Sequence, residues 1–142
     1  MFNVLLEKQR RDMFENFPLE LVSNIISVII IVIIIARFIN YKKKVAVIDG
    51  LYRLEEQNKL SPEDKQFISK NLAEYEVLHV KQIAFNKLMY PAFILVAGIF
   101  FVFFDFANAM IHLNILVVAY IYLYIKKIHY KNYIDLLKGI KI

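Results

Sequence analysis

Apolar positions are spread very unevenly along the chain. Residues 21–36 form an apolar run interrupted only by Ser23, Asn24 and Ser27. With Leu19 and Phe38 beside it, the run approaches the ~20 residues that cross a hydrocarbon core. Its β-branched residues favour a strand in water. Buried strands, however, usually run about 4–8 residues, and in lipid a lone segment must satisfy its own backbone as a helix. The pattern predicts a transmembrane helix over 19–40.

A second stretch, 88–125, contains no Lys or Arg and a single acid, Asp105. As one helix its 38 residues would measure roughly 57 Å, nearly twice the ~30 Å core. It must therefore fold back. The segment "FDFANAM" at 104–110 is the predicted turn, because Asp105 and Asn108 bond readily to nearby backbone and favour helix caps. Two further spans follow, over 88–104 and 109–126.

Between the first and second spans the pattern changes. Residues 40–87 hold nine Lys or Arg and seven Asp or Glu. Within them, "KLSPEDKQF" carries the clearest local signal. Ser61 suits a helix N-cap, Pro62 the first helical position, and Glu63 and Asp64 the positive end of the helix dipole. One helix is expected to end near Leu60 and another to begin at Pro62. Before the break, Val47, Ile48, Leu51 and Leu54 recur at spacings of 3 and 4; after it, Ile68, Leu72, Tyr75 and Leu78 do the same. Each stripe must be buried, which predicts an antiparallel helical hairpin over 41–87 packed stripe to stripe. Leu51, Leu54, Ile68, Leu72 and Tyr75 are its candidate contact residues, for self-packing or for a partner. Gly50 weakens the first of these helices, and Pro91 is expected to kink the entry to the second span.

The two ends are amphipathic. Over 1–18, Phe2, Leu5, Leu6, Met13 and Phe17 fall on one helical side before Pro18 breaks the pattern, which suits a helix lying on the membrane interface. Over 127–142, Ile134, Leu137 and Ile140 lie beside Tyr130 and Tyr133. This basic tail either attracts an anionic leaflet or continues the third span and packs on the hairpin, and continuation is the preferred reading.

Composition sharpens this picture. The chain has 142 residues and a 59% apolar share, above the rough half of ordinary globular proteins. There is no Cys, which excludes disulfides, thiolate metal sites and thiol nucleophiles. The net charge of +5 does not mark a nucleic-acid binder, since the basic residues of the middle segment are interleaved with acids. Its placement instead gives an orientation. Arg37, Lys42, Lys43 and Lys44 follow the first span, and Lys126, Lys127, Lys131, Lys138 and Lys141 follow the third, while the 105–112 turn has none. By the positive-inside rule the hairpin and C-terminus are cytoplasmic and the N-terminus is outside, in a cell inner membrane. Tyr41, Tyr90, Tyr120, Tyr122 and Tyr124 fall at the same predicted interface. The first span reads as a retained anchor, because its apolar core exceeds the usual signal-peptide length and a basic cluster follows it.

Candidate chemistry is sparse. His79, His112 and His129 lack metal-ligand spacing, and no Gly-rich phosphate loop or nucleophile elbow is present. No cofactor, metal or catalytic residue is expected. Asp105 and His112 flank the turn and form a candidate interaction or proton site, although an acid there more often caps a helix. Gly98, beside Ala97, suits close approach of another helix. The reading is an all-α, polytopic membrane protein with three transmembrane helices and a cytoplasmic helical hairpin. Its expected role is that of a non-catalytic accessory or assembly subunit. Its expected partners are the lipid bilayer and a larger membrane protein or a second copy. In layout alone the chain resembles some phage holins, which implies a role within the bilayer as a lysis or immunity protein, although its long middle segment departs from their short loops. Its topology is also similar to proton-driven motor subunits, which implies ion conduction, with Asp105 as its only support.

Overall fold

A computed structural model describes residues 1–16 and 18–142, with side chains at 1–12 and 18–142. The described residues are helical apart from short connections: α1 (Phe2–Asn16), α2 (Leu19–Glu56), α3 (Pro62–Phe103) and α4 (Phe106–Gly139). Helices α2, α3 and α4 are each long and apolar enough to cross a membrane. At 38, 42 and 34 residues they measure roughly 57, 63 and 51 Å, well beyond a ~30 Å core. Each is therefore long enough to hold an apolar stretch of spanning length and a polar extension in one rod. Helix α3 passes through Pro91 without ending. Helix α4 continues to Gly139, so the basic tail is the end of the third long helix.

The breaks are local. Helix α2 stops at Glu56 rather than near Leu60, because Asn58 takes a left-handed conformation with φ 53°. Asn tolerates that region better than most residues. The turned-back amide of Lys59 then donates to the Leu54 carbonyl at 2.8 Å, satisfying a free group of the last turn. Helix α3 opens with a full capping box: the Asp64 amide donates to Ser61 Oγ at 3.1 Å, and the Ser61 amide donates to the Asp64 carboxylate at 2.9 Å. Two residues, Phe104 and Asp105, join α3 to α4, and Asp105 is the N-cap of α4. On α1, Phe2, Leu5 and Leu6 are exposed; the side chains of Met13 and Phe17, predicted to share their face, lie outside the described residues.

Helix α4 is the common packing surface for α2 and α3. The least exposed positions of α2 include 23, 27, 30, 34, 37, 41, 45, 48 and 51, and those of α3 include 64, 68, 72, 75, 79, 82, 86, 89, 93, 96 and 100. Spacings of 3 and 4 average about 3.6 residues, the turn of the α-helix itself, so each seam stays on one side of its rod.

The core sits at the polar end. It joins Ile48 and Leu51 of α2, Ile68 and Tyr75 of α3, and Tyr133, Ile134, Leu137 and Ile140 at the end of α4. The two stripes predicted to close on each other thus close around a third, supplied by α4. The physical reason is length: α4 runs far enough past its span to reach them. Two polar ties lock its end. The Tyr52 hydroxyl donates to the Leu136 carbonyl at 2.8 Å, and Lys138 pairs with Glu76 at 2.7 Å. The Tyr52 hydroxyl occupies the space a side chain at Gly139 would need.

Candidate functional site: polar layers in the helix seams

Polar residues enter the apolar seams in three places. Nearest the α3–α4 turn, Ser23 Oγ and His112 Nδ1 are hydrogen-bonded at 2.6 Å, with both residues buried. The imidazole lies against the rings of Phe104 and Phe100, with centroids 4.6 and 5.7 Å away. One turn along α2, the buried Ser27 hydroxyl has no hydrogen-bond partner among the described residues.

The second layer is a ladder on α3. Gln82 Nε2 donates to Asn86 Oδ1 at 2.7 Å, and Asn86 Nδ2 donates to the Leu123 carbonyl of α4 at 3.3 Å and to the Tyr90 hydroxyl at 3.3 Å. Gln82 and Asn86 are almost fully buried. Placed at i and i+4 on the α4-facing seam, they satisfy each other and fix the register of α3 on α4.

The third layer is aromatic and basic. The His129 ring stacks on Tyr41, centroids 4.0 Å apart and nearly parallel. The Arg37 guanidinium lies over the Tyr122 ring at 5.5 Å. One to two turns further, Lys44 donates to the Tyr75 hydroxyl and lies over the Tyr75 ring at 4.8 Å, and Tyr75 packs on Tyr133. Burial, with the Arg37 charge second, pushes the His129 pKa below its ordinary value. Burial likewise pushes the Tyr133 hydroxyl up.

The residues singled out from sequence separate. Asp105 sits at the exposed end of α4, where its carboxylate accepts from the Asn108 backbone amide at 3.4 Å and from the Asn108 side chain. The side-chain bond holds its carboxyl below the usual range. His112 turns inward to Ser23, and both it and Asp105 border the same cleft beside α1. Gly98 faces open space, with nothing within 4 Å of where a side chain would begin. Leu51, Ile68 and Tyr75 are in the core, with Leu72 packed on it; Leu54 is half-buried. Sequence reading passed over Gln82, Asn86 and the pairing of Arg37 with the His129–Tyr41 stack. The ladder had a signal, two amides one helical turn apart on the Tyr75 stripe; the stack had none. Among the described residues no group of three metal-ligating side chains converges. The chain matches no protein-family model, no curated protein and no solved structure.

Proposed function

We propose that the chain is a non-catalytic accessory subunit of an inner membrane, held by three spans, that joins a larger membrane protein along the outward side of α3. The observation that carries this reading is a continuous apolar stripe on α3, opposite its α4-facing seam. Val77, Val80, Ala84, Leu88, Pro91, Leu95, Ile99 and Val102 recur at spacings of 3 and 4 and are all exposed. Leu95 is 67% exposed, which lipid alone explains; Val77 at 54% and Val80 at 66% lie beyond the apolar span, among Glu74, Glu76 and Lys81. Lipid does not reach those two, and leaving them in water is unfavourable.

A partner helix that also leaves the membrane as a rod would cover the stripe from end to end. Gly98 lies on the same side, where its missing side chain lets another backbone come close. In this reading the polar extensions are cytoplasmic, the helical hairpin with the α4 end forms the cytoplasmic contact module, and the N-terminus lies outside. The polar layers favour a structural role over a conducting one. Ile30 and Ile34 of α2, and Ile115 and Leu116 of α4, separate the Ser23–His112 layer from the Arg37 layer.

The test is affinity purification from native membranes in mild detergent, followed by mass spectrometry. A larger membrane protein is expected in stoichiometric amount with the wild-type chain and at strongly reduced amount with Val80→Lys. Recovery of the wild type as a free monomer, or only with copies of itself, overturns the reading.

A further inference from the structure

The third polar layer borders a cleft of about 490 Å³ between α2 and α3, floored by α4. Its height is that of the membrane surface, since Arg37 ends the apolar run of α2 and Tyr41 and Lys44 follow one and two turns later. Arg37, Tyr41 and Lys44 are spaced 4 and 3 apart and so share one helix face. All three line the cleft, as do His129, Tyr75 and Glu74. Among the described residues neither Arg37 nor Lys44 forms an ion pair with a carboxylate. Both cations are instead held over rings, Arg37 over Tyr122 and Lys44 over Tyr75 and Tyr133. A cation fixed by a π face keeps N–H donors free for a second ligand. The stacked His129 adds a ring nitrogen, and burial disfavours its charged form.

We propose that this cleft binds the headgroup of an anionic glycerophospholipid. Arg37 and Lys44 hold the phosphate diester, and Glu74 accepts hydrogen bonds from hydroxyls of a glycerol-type headgroup. The acyl chains run along the outward apolar face of α2 beside Ile33 and Ile26, which lie one and three turns before Arg37 and are exposed. Basic pockets between spans at the cytoplasmic surface suit this chemistry, and the surrounding cations, Lys42, Lys43, Lys126 and Lys127, favour an anionic over a zwitterionic lipid. A lone acid in a basic cleft has no use for a bare phosphate, but it has one for a headgroup that carries donors. The proposal rests on the membrane placement of the spans and is independent of the α3 partner.

The test uses the purified full chain in a nonionic detergent, with bound lipid read by native mass spectrometry. Phosphatidylglycerol, phosphatidylcholine with the same acyl chains, and soluble glycerol phosphate are each titrated in. Phosphatidylglycerol is expected to bind about tenfold more tightly than phosphatidylcholine, and glycerol phosphate not measurably. Arg37→Gln and Lys44→Gln are each expected to weaken phosphatidylglycerol about fivefold, the loss of one basic contact at the surface. Lys141→Gln, outside the cleft, is expected to leave it unchanged. Equal binding of the two lipids by the wild type overturns the proposal and needs no variant to fold. So does glycerol phosphate binding as well as the lipid, which marks a soluble ligand, or Lys141→Gln weakening binding as much as Arg37→Gln, which marks a diffuse field.

Discussion

Ser23 and His112 lie 89 positions apart in the chain and are joined by a buried hydrogen bond of 2.6 Å. The bond ties the start of α2 to the first turns of α4, at the end of the molecule farthest from its core. The residues of α2 that follow, Ile25 to Ile35, are all Ile or Val apart from Ser27. In a medium as apolar as the side chains themselves, a polar pair supplies the position that packing alone leaves loose.

The pair is therefore expected to couple. A double-mutant cycle with Ser23→Ala and His112→Phe, read by unfolding in micelles, should give an interaction of about 0.6 kcal/mol and at most about 1.7 kcal/mol. A cycle that closes to zero would mean that the bond is present without holding anything.

Stability should reside in the polar-end core. Ile68 and Leu137 are fully buried there, whereas Ile29 of α2 is half exposed to its surroundings. Ile68→Ala and Leu137→Ala should each cost about 2–5 kcal/mol, the range for truncating buried aliphatic residues. Ile29→Ala should cost under about 1 kcal/mol, since it leaves no cavity. Denaturation of the three variants in one detergent decides it; equal losses would place the core elsewhere.

Two glycines should respond oppositely to Ala. At Gly139 the added methyl meets the Tyr52 hydroxyl, which must move and give up its bond to Leu136. A loss of about 1–3 kcal/mol is expected. At Gly98 the methyl meets open space, and helix propensity should stabilise the isolated chain by up to about 1 kcal/mol. If Gly98 faces a partner helix, the same change should reduce co-purification. Thermal midpoints of the purified variants, set beside pull-down yields, separate the two effects.

Stability should fall in mild acid. Burial first, and the Arg37 charge second, hold the His129 pKa below its ordinary value of 6.5. The folded chain thus favours the neutral ring more than the unfolded chain does. This contribution is complete above pH 6.5 and is lost as pH falls through the lower folded value. Thermal midpoints should be flat from about pH 8 to 7 and decline between about pH 6.5 and 5, by an amount that partial exposure keeps small. His129→Gln should flatten the decline; an unchanged profile in that variant would assign it to another group.

The number and rough extent of the apolar rods are legible in the residues alone, because a backbone in lipid has one local solution and about twenty apolar residues announce it. So are both sharp breaks, since the Ser61–Asp64 capping box and the Asp105 cap on α4 are contacts between near neighbours. Which side of each rod faces inward is set by long-range packing. Over Val28–Ile35 every side is apolar, so the pattern there carries no phase, and the seam through Ile30 and Ile34 emerges only when α4 lies against it. The same holds at the polar end. The stripes Ile48–Leu51 and Ile68–Tyr75 were legible as faces to be buried, but that α4 would complete them depended on how far a long helix reaches past its span. Burial asks only that an apolar face be covered, and long-range geometry chooses what covers it.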